Sequence, residues 1–402
     1  MQILTINCGS SSLKFRLFHV SRRSGMDIPF DVLADGQIDR IGDNGSFQAS
    51  LCGQRATRIA TSGMDHAAAT QTVFQWLDEV GFLSSLSAVG HRIVHGGDRF
   101  HLPSLVNEQV LEAIEAVSTL APLHNLPALA AIRAARAHIG NQLPMVAVFD
   151  TAFHHAMPRY ASQYAIPFEL SERHGIRRFG FHGLAHRYMA ERYASITHQL
   201  GPPSARLITL QLGNGCSATA IDGQRSVDTS MGFTPLEGLM MGTRSGDLDP
   251  SLINYLAARE QVSTTEVERW LNTQSGLLGL SGRSRDMRDL LRAESEGDQR
   301  AALAVEMFCY RIRKYIGAYL AVLGGADAIL FGGGIGENSP SLRARILDKL
   351  AWCGVSLDPQ LNAHSINREI RISSPQSTIH AYVIPVDEHT IVAQDTLALL
   401  PA

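Results

Sequence analysis

Apolar positions along the chain follow two periods. Near the start, an apolar run from Ile3 gives way to six small or polar residues, Asn7, Cys8, Gly9, Ser10, Ser11 and Ser12, after which Leu13, Phe15 and Leu17 alternate with Lys14 and Arg16. Alternation places one set on each face of a strand, so residues 2–7 and 13–20 read as a hairpin with a long tip. A plain hairpin needs only about two turn residues. The polar, glycine-containing stretch up to about Gly53 carries no period. Helical spacing follows around 64–82 through Val73, Trp76, Leu77 and Val80. "LSAVGHRIVHGG" is a strand entering a glycine turn, helices are expected near 106–118 and 127–138, and "PMVAVFD" is a short buried strand ending at Asp150. A second round then begins. "RLITLQLGNG" and "CSATAIDGQRSV" repeat the opening design, and this weak likeness between residues 2–18 and 206–222 suggests two related halves. Helices are expected near 249–259, 263–272 and 299–323, then strand "DAILFGGG", a helix near 340–351, strand "HAYVIPV" and a last helix near 389–400. Strands alternating with helices indicate layered α/β architecture.

Composition narrows the class. The 402 residues suffice for about two to three domains. With 45% hydrophobic residues, 18% charged and a formal net charge of -3, the chain reads as a soluble globular protein with nothing to favour a nucleic-acid partner. Five cysteines, Cys8, Cys52, Cys216, Cys309 and Cys353, are scattered, odd in number and form no CxxC pair. That argues against a disulfide framework and a thiolate metal site, and for a reducing, cytoplasmic compartment. No basic-then-apolar leader is read at the start. "YIGAYLAVLGGADAILFGGGIG" is broken by Asp327 and by glycines, so it reads as a buried helix and strand with no role in a membrane.

Four glycine-rich turns follow strands: the opening tip, "LGNGCS" at 212–217, "MMGTRSGDLDP" at 240–250 and "FGGGIGENSP" at 331–340. Each lets backbone amides approach an anion, and the last leads into a helix start, which favours phosphate. Neither a Walker loop nor a dinucleotide "GxGxxG" is present. For the opening tip alone, an anion's coordination shell and a solvated serine turn remain equal readings. Arg92 in "GHRIVHGG" and Arg244 in "MGTRSGD" sit beside permissive glycines and suit carboxylate or phosphate, whereas the common fate of an arginine is a surface ion pair. Asp150, His154, His182 and His186 are a possible metal set. Against it, "HGLAH" lacks the glutamate of "HExxH" and has Gly183 where a helix should run; His154 and His155 read best as structural histidines. Asp150 and Glu388, acids at strand ends, could cap helices or hold magnesium.

The ordered set "INCGSSSLKF", "GHRIVHGG", "APLHN", "VFDTAFHHAMP", "RRFGFHG", "LGNGCS", "SVDTSMGFTPLEGLMMGTRSGDLDP", "GGIGENS" and "IPVDEHTIVAQD" resembles the acetate kinases, within the actin-like ATPase superfamily, over essentially the whole chain. The resemblance implies an α/β fold of two ribonuclease H-like domains flanking a nucleotide cleft, with residues 1–150 plus 387–402 as one lobe and 151–386 as the other. It also implies reversible in-line phosphorylation of acetate by ATP, in a homodimer. Carried over by motif, Asn7 and Glu388 would contact Mg2+ or Mn2+, and Ser10, Ser12 and Lys14 would grip phosphate. Arg92 would bind the carboxylate and Asp150 would position it or couple to its proton, while His182 and Arg244 would stabilise the transition state with support from His124. ATP or ADP would lie against Gln211, Leu212, Gly213, Asn214 and Gly215, against Asp286, Met287 and Arg288, and against Gly334, Ile335, Gly336, Glu337 and Asn338. Val94, Leu123, Phe181 and Pro235 would receive the substrate's alkyl group.

Three departures bear on rate and substrate. Gln211 replaces the histidine of the family's usual "HLGNG", Leu184 and Ala185 replace two hydroxyl residues of "GFHGTSH", and "TNEE" reads "VDEH", which keeps Glu388 but changes Val386, Asp387 and His389. A propionate or other short-chain acyl kinase is the nearest rival, since one methylene in an apolar pocket is worth only about 1–3 kcal/mol. A non-catalytic nucleotide sensor or assembly protein of the same fold would have no use for Arg92, Asp150, His182 and Arg244 together.

Overall fold

Two β-sheets organise the chain. The computed structural model describes residues 1–21, 30–54, 57–140, 142–197, 205–366 and 368–401. These fall into two units, Met1–Ala152 with Asp387–Ala402, and Phe153–Val386.

The first unit holds β1 (Gln2–Cys8), β2 (Ser12–Val20), β3 (Phe30–Asp39), β4 (Asn44–Leu51), β5 (Thr57–Ser62), β6 (Ala88–Ile93), β7 (Ser104–Leu105) and β8 (Met145–Phe149), in spatial order β5-β4-β3-β2-β1-β6-β8-β7. The pairs β1–β6 and β6–β8 are parallel. The opening hairpin is tighter than its sequence suggested: Asn7 pairs with Lys14 and Cys8 with Leu13, and the Gly9 N–H donates to the Ser12 carbonyl at 2.8 Å. Asn7 and Cys8 therefore belong to the strand, because the ladder runs on until the buried Cys8 has been placed on the core face. Two strands, β3 and β4, come from the stretch that carried no period, of which residues 22–29 lie outside the described residues, and β5 follows it. The apolar side chains they bury lie on one face: Ala34, Ile38, Phe47 and Ala49. Phe15 stacks on Phe47 at 6.2 Å, and Trp76 of helix His66–Glu79 closes over both. On the other face, Ala393 of helix Glu388–Ala398 joins Ile3, Phe18 and Ala88. A Cβ at Gly90 would stand 2.3 Å from Thr396 Oγ1, so glycine in β6 is what admits this helix.

The second unit holds β9 (Arg206–Leu212), β10 (Cys216–Asp222), β11 (Arg225–Thr229), β12 (Ala328–Gly332), β13 (Ile370–Arg371) and β14 (His380–Val383), in order β11-β10-β9-β12-β14-β13. Again two pairs, β9–β12 and β12–β14, are parallel. Helix Gln299–Leu323 buries Phe308, Ile312, Ile316 and Tyr319 at helical spacing. Contrary to the sequence expectation, a helix does run from Gly183 to Ile196. His182 is its N-cap in the left-handed region (φ 57), and Leu184, Ala185, Met189 and Ala190 bury its inner face, so glycine at the first position interrupts nothing. Strand "DAILFGGG" likewise stops at Gly332, and Gly333 (φ +75) opens the short helix Gly333–Asn338. The following helix ends at Leu347, short of the expected 351.

Residues 230–250 have no regular structure but are fixed from within the unit. Arg178 Nη1 donates to the carbonyls of Thr229 and Ser230 (3.1 and 3.2 Å) and Nη2 to Glu237. Asp247 accepts from the Gly238 N–H at 2.8 Å and the Tyr315 hydroxyl at 2.7 Å. Backbone groups that lack a ladder find charged partners instead, as buried polar groups must.

Candidate active site

In the first unit three parallel strands end together, and their carboxyl ends are where open α/β sheets place ligands. Asn7 lies one residue from the end of β1, opposite Arg92 in β6, and Asp150 directly follows β8. Arg92 is forked onto Asp150, with Nε donating to Oδ1 at 3.0 Å and Nη2 to Oδ2. Its Nη1 donates to Asn7 Oδ1 at 2.9 Å, Asn7 Nδ2 donates to Glu388 Oε2 at 3.0 Å, and that oxygen lies 3.4 Å from Arg92 Nε. Asp150 is fully buried. Burial opposes the charge on Arg92, but Asp150 and Glu388 outweigh it and raise the pKa of the guanidinium, so the cation is held at every working pH. The fork expected to meet a substrate carboxylate is here filled by an internal one. Glu388 opens helix Glu388–Ala398, and the cap is its neighbour Asp387, whose carboxylate accepts from Thr390.

Around this set, Ser10 is exposed, Ser12 opens β2 half-buried and Lys14 projects outward. Val94 is buried, His124 half-buried and Leu123 58% exposed, which leaves Leu123 available to a ligand. Asn125 was not foreseen. It is fully buried and exchanges hydrogen bonds with the backbone of His95 (3.0 and 2.9 Å), fixing the first turn of helix Pro122–Ile139 and with it Leu123 and His124.

In the second unit the hairpin β9–β10 turns through Gly213–Gly215, with the Gly213 N–H bonded to the Gly215 carbonyl at 3.1 Å. A Cβ at Gly215 would lie 3.3 Å from the His182 ring and 3.6 Å from Arg244 Nη1, so these two side chains flank one glycine. Gly242 donates to the Asn214 carbonyl at 3.0 Å, tying the Arg244 segment to the same turn. Arg244 Nη1 donates to the Pro235 carbonyl at 3.3 Å, and among the described residues no carboxylate pairs with this guanidinium. Burial lowers its pKa. A largely desolvated cation held by a carbonyl and the Met241 sulfur, at 3.7 Å, with no carboxylate, invites an anion. Phe181 is fully buried and its carbonyl accepts from His154 Nε2 at 3.1 Å.

A cavity of about 660 Å³ opens beside that turn, lined by Gly213 and Asn214, by Asp286, Met287 and Arg288, and by Gly334, Ile335 and Asn338. Such a volume suits a nucleotide. Gln211, Leu212, Gly215, Gly336 and Glu337 are not among its lining residues, and Leu212 and Gly336 are buried. Arg285, Leu291 and Ser339 also line it and were missed, although "SRDMRD" offered the arginine. Asp286 and Arg288 pair with each other at 2.6 Å, whereas Arg285 has no carboxylate partner among the described residues. Another unforeseen residue, Arg343, is fully buried and donates to the carbonyls of Gly336 (2.6 Å) and Glu337 (3.0 Å) and to Asn362 Oδ1 (2.9 Å). The carboxylate of Glu337 accepts from the N–H of Gly333 at 2.8 Å. Acid at the start and base at the end match the polarity of that short helix.

The histidine metal set does not assemble. His154 spends its nitrogens on Ser226 and Phe181, and His186 on Thr209 and Ser217. Among the described residues no group of three or more His, Cys, Asp or Glu is placed to hold a metal ion. The carboxylate of Glu388 is a hard oxygen donor of the kind magnesium takes, whereas the Asn7 amide meets it through nitrogen and gives its oxygen to Arg92, so holding the ion through both side chains requires that amide to turn.

Residues 2–394 match the family model described as the Acetokinase family. The chain is 48% identical to an acetate kinase of Solibacter usitatus, over 99% of this chain and 98% of that one. Among solved structures, it matches a propionate kinase from Francisella tularensis (TM-score 0.91, 40% identity, 99% and 100% coverage) and an acetate kinase of Porphyromonas gingivalis (TM-score 0.88, 37% identity, full coverage of both).

Proposed function

The chain belongs to the acetokinase family, and on that premise we propose that it transfers the γ-phosphoryl group of ATP to acetate, reversibly, giving acetyl phosphate and ADP. The observation that best supports this reading is the buried charge set around Arg92 in the first unit. Acetate is already ionised and nucleophilic at neutral pH, so no strong base is needed; the work is to hold two anions together and balance the charge of the moving phosphoryl group. Arg92 takes the carboxylate, and Asp150 keeps the guanidinium extended and paired until the substrate competes for it. His182 and Arg244, flanking Gly215, donate to the transferring group. The nucleoside occupies the cavity beside Met287 and Ile335, and Ser10, Ser12 and Lys14 contact phosphate. Asn7 and Glu388 would hold magnesium or manganese, which when bound neutralises phosphate oxygens and orients them. The acting form is a cytoplasmic homodimer; no helix among the described residues is long and apolar enough to cross a membrane.

Incubating the purified chain with ATP, magnesium and acetate in hydroxylamine tests the activity: acetyl hydroxamate should form with ADP in equal amount. No hydroxamate above the acetate-free control, with acetate or propionate, would refute the reading. Likeness to the Francisella propionate kinase supports a second one, in which propionate is preferred. Comparing kcat/KM for formate, acetate, propionate and butyrate separates the two.

A further inference from the structure

Behind His182 a chain of hydroxyls and imidazoles runs into the sheet of the second unit. His182 Nδ1 lies 2.9 Å from Ser217 Oγ, the same oxygen lies 2.8 Å from His186 Nε2, and His186 Nδ1 lies 2.7 Å from Thr209 Oγ1. Ser217, His186 and Thr209 are each fully buried. No hydroxyl of the first helical turn competes for either ring, since Leu184 and Ala185 stand there. Each link has one proton, so the direction of the whole chain is set where it starts.

We propose that Thr209, His186 and Ser217 are positioning residues that hold His182 in the tautomer with its proton on Nε2. Thr209 has two acceptors to choose from: His186 Nδ1 at 2.7 Å, and the Thr219 carbonyl at 3.4 Å, which is at the limit of a hydrogen bond. Its proton goes to the nearer. His186 then carries its own proton on Nε2 and donates to Ser217, and Ser217 donates to His182 Nδ1. That fixes Nε2 as the hydrogen-bearing nitrogen of His182, on the ring edge 3.3 Å from where a Cβ of Gly215 would lie. His186 stays neutral, as burial holds its pKa well below the ordinary value, with smaller contributions from His154 and His182. His154, the other ring packed against it at 5.8 Å, is committed to Ser226 and the Phe181 carbonyl. A fixed donor needs no reorganisation when charge develops on the phosphoryl oxygens. The inference rests on the phosphoryl-transfer reading for its purpose, but not for its geometry.

Two-bond proton–nitrogen spectra of the full chain labelled with 15N-histidine read the tautomer directly, with His182→Gln and His186→Gln assigning the signals. Both rings should show the proton on Nε2. Ser217→Ala should mix the tautomers of His182 and lower kcat about tenfold or more, with KM for ATP and acetate within about twofold. Thr209→Val should disturb the His186 pattern and lower kcat about threefold, and Thr209→Ser should restore both. A wild-type His182 protonated on Nδ1 would overturn the proposal, as would unchanged kcat in both Ser217→Ala and Thr209→Val. Should Ser217→Ala not fold, the Thr209 pair decides alone. The expected spectrum with no hydroxamate formed would sink the phosphoryl-transfer reading and leave the proton chain standing.

Discussion

The strands β1 and β9 have the same alternation of buried and half-buried positions, and in both the sixth residue is a half-buried amide, Asn7 and Gln211. Their parallel neighbours differ. Asn7 faces Arg92 across the ladder and both ends of its amide are bonded, to Arg92 and Glu388. Gln211 faces Gly332, and its Oε1 is buried without a hydrogen-bond partner among the described residues. One scaffold is thus finished in two ways. A charged neighbour builds a closed set of ions suited to carboxylate and metal, whereas at Gly332 the missing side chain makes room for Val386 and Met189, and the nucleotide-sized cavity opens beyond the strand ends, beside Gly213, Asn214 and Gly334. The two key arginines follow the same division: Arg92 is matched internally and Arg244 is not.

Substitutions at these arginines and their surroundings probe that contrast, the strongest first. Arg244→Ala should lower kcat about 10³-fold while nucleotide KM changes less than about threefold, as the proposed action of its cation on the transition state requires; near-normal turnover would remove Arg244 from the chemistry. Asp150→Asn should cost about 3 kcal/mol of unfolding free energy by removing the forked partner of the buried Arg92 and leaving it only the carboxylate of Glu388 at 3.4 Å, whereas Arg244→Met should leave stability unchanged or raised. Equal losses in urea unfolding would erase the distinction. Acid should act on both units alike. Burial pushes His91 down to about 3 and His154 to about 4, so the fold holds them neutral while the unfolded chain protonates them below about 6.5. Their contribution is complete above pH 6.5 and is lost as pH falls toward the folded values, by up to about 1.4 kcal/mol per unit for each histidine. His91→Gln should reduce the slope of stability between pH 6 and 5 by about that amount. Smaller still, Arg285→Ala should raise nucleotide KM about threefold to tenfold without moving acetate KM, if this cation on the cavity serves the nucleotide. Gln211→His should raise turnover about threefold; a flat or lower rate would mean that the site beside Gly332 has repacked around the amide.

Much of this was legible from local pattern. The alternation of Leu13, Phe15 and Leu17, the spacing of Phe308, Ile312 and Ile316, and the run Met145–Phe149 each fall in the element expected, since each records one buried face or a wholly buried strand. Strands β3–β5 escaped notice because Asp35, Gln37, Gln48 and Ser50 place polar side chains between few apolar ones. The helix from Gly183 escaped notice because a glycine at a first position looks like a breaker when the cap cannot be seen. Asn125, Ser217 and Arg343 carry no motif meaning; only burial beside a backbone or a ring gives them work.

By itself the sequence determined the layered α/β class, most element positions, the family motifs and the residue types needed for moving a phosphoryl group. Those depend on short-range periodicity and on chemistry that each side chain carries anywhere. The tertiary structure alone decided which charges meet. Arg92 and Asp150 lie 58 residues apart and Asn7 and Glu388 lie 381 apart, and such pairings are set by strand order, which no local pattern encodes. It also decided that Arg244 stays unmatched and that His182 ends a buried proton chain, because a cation's partners and a ring's tautomer are properties of its surroundings.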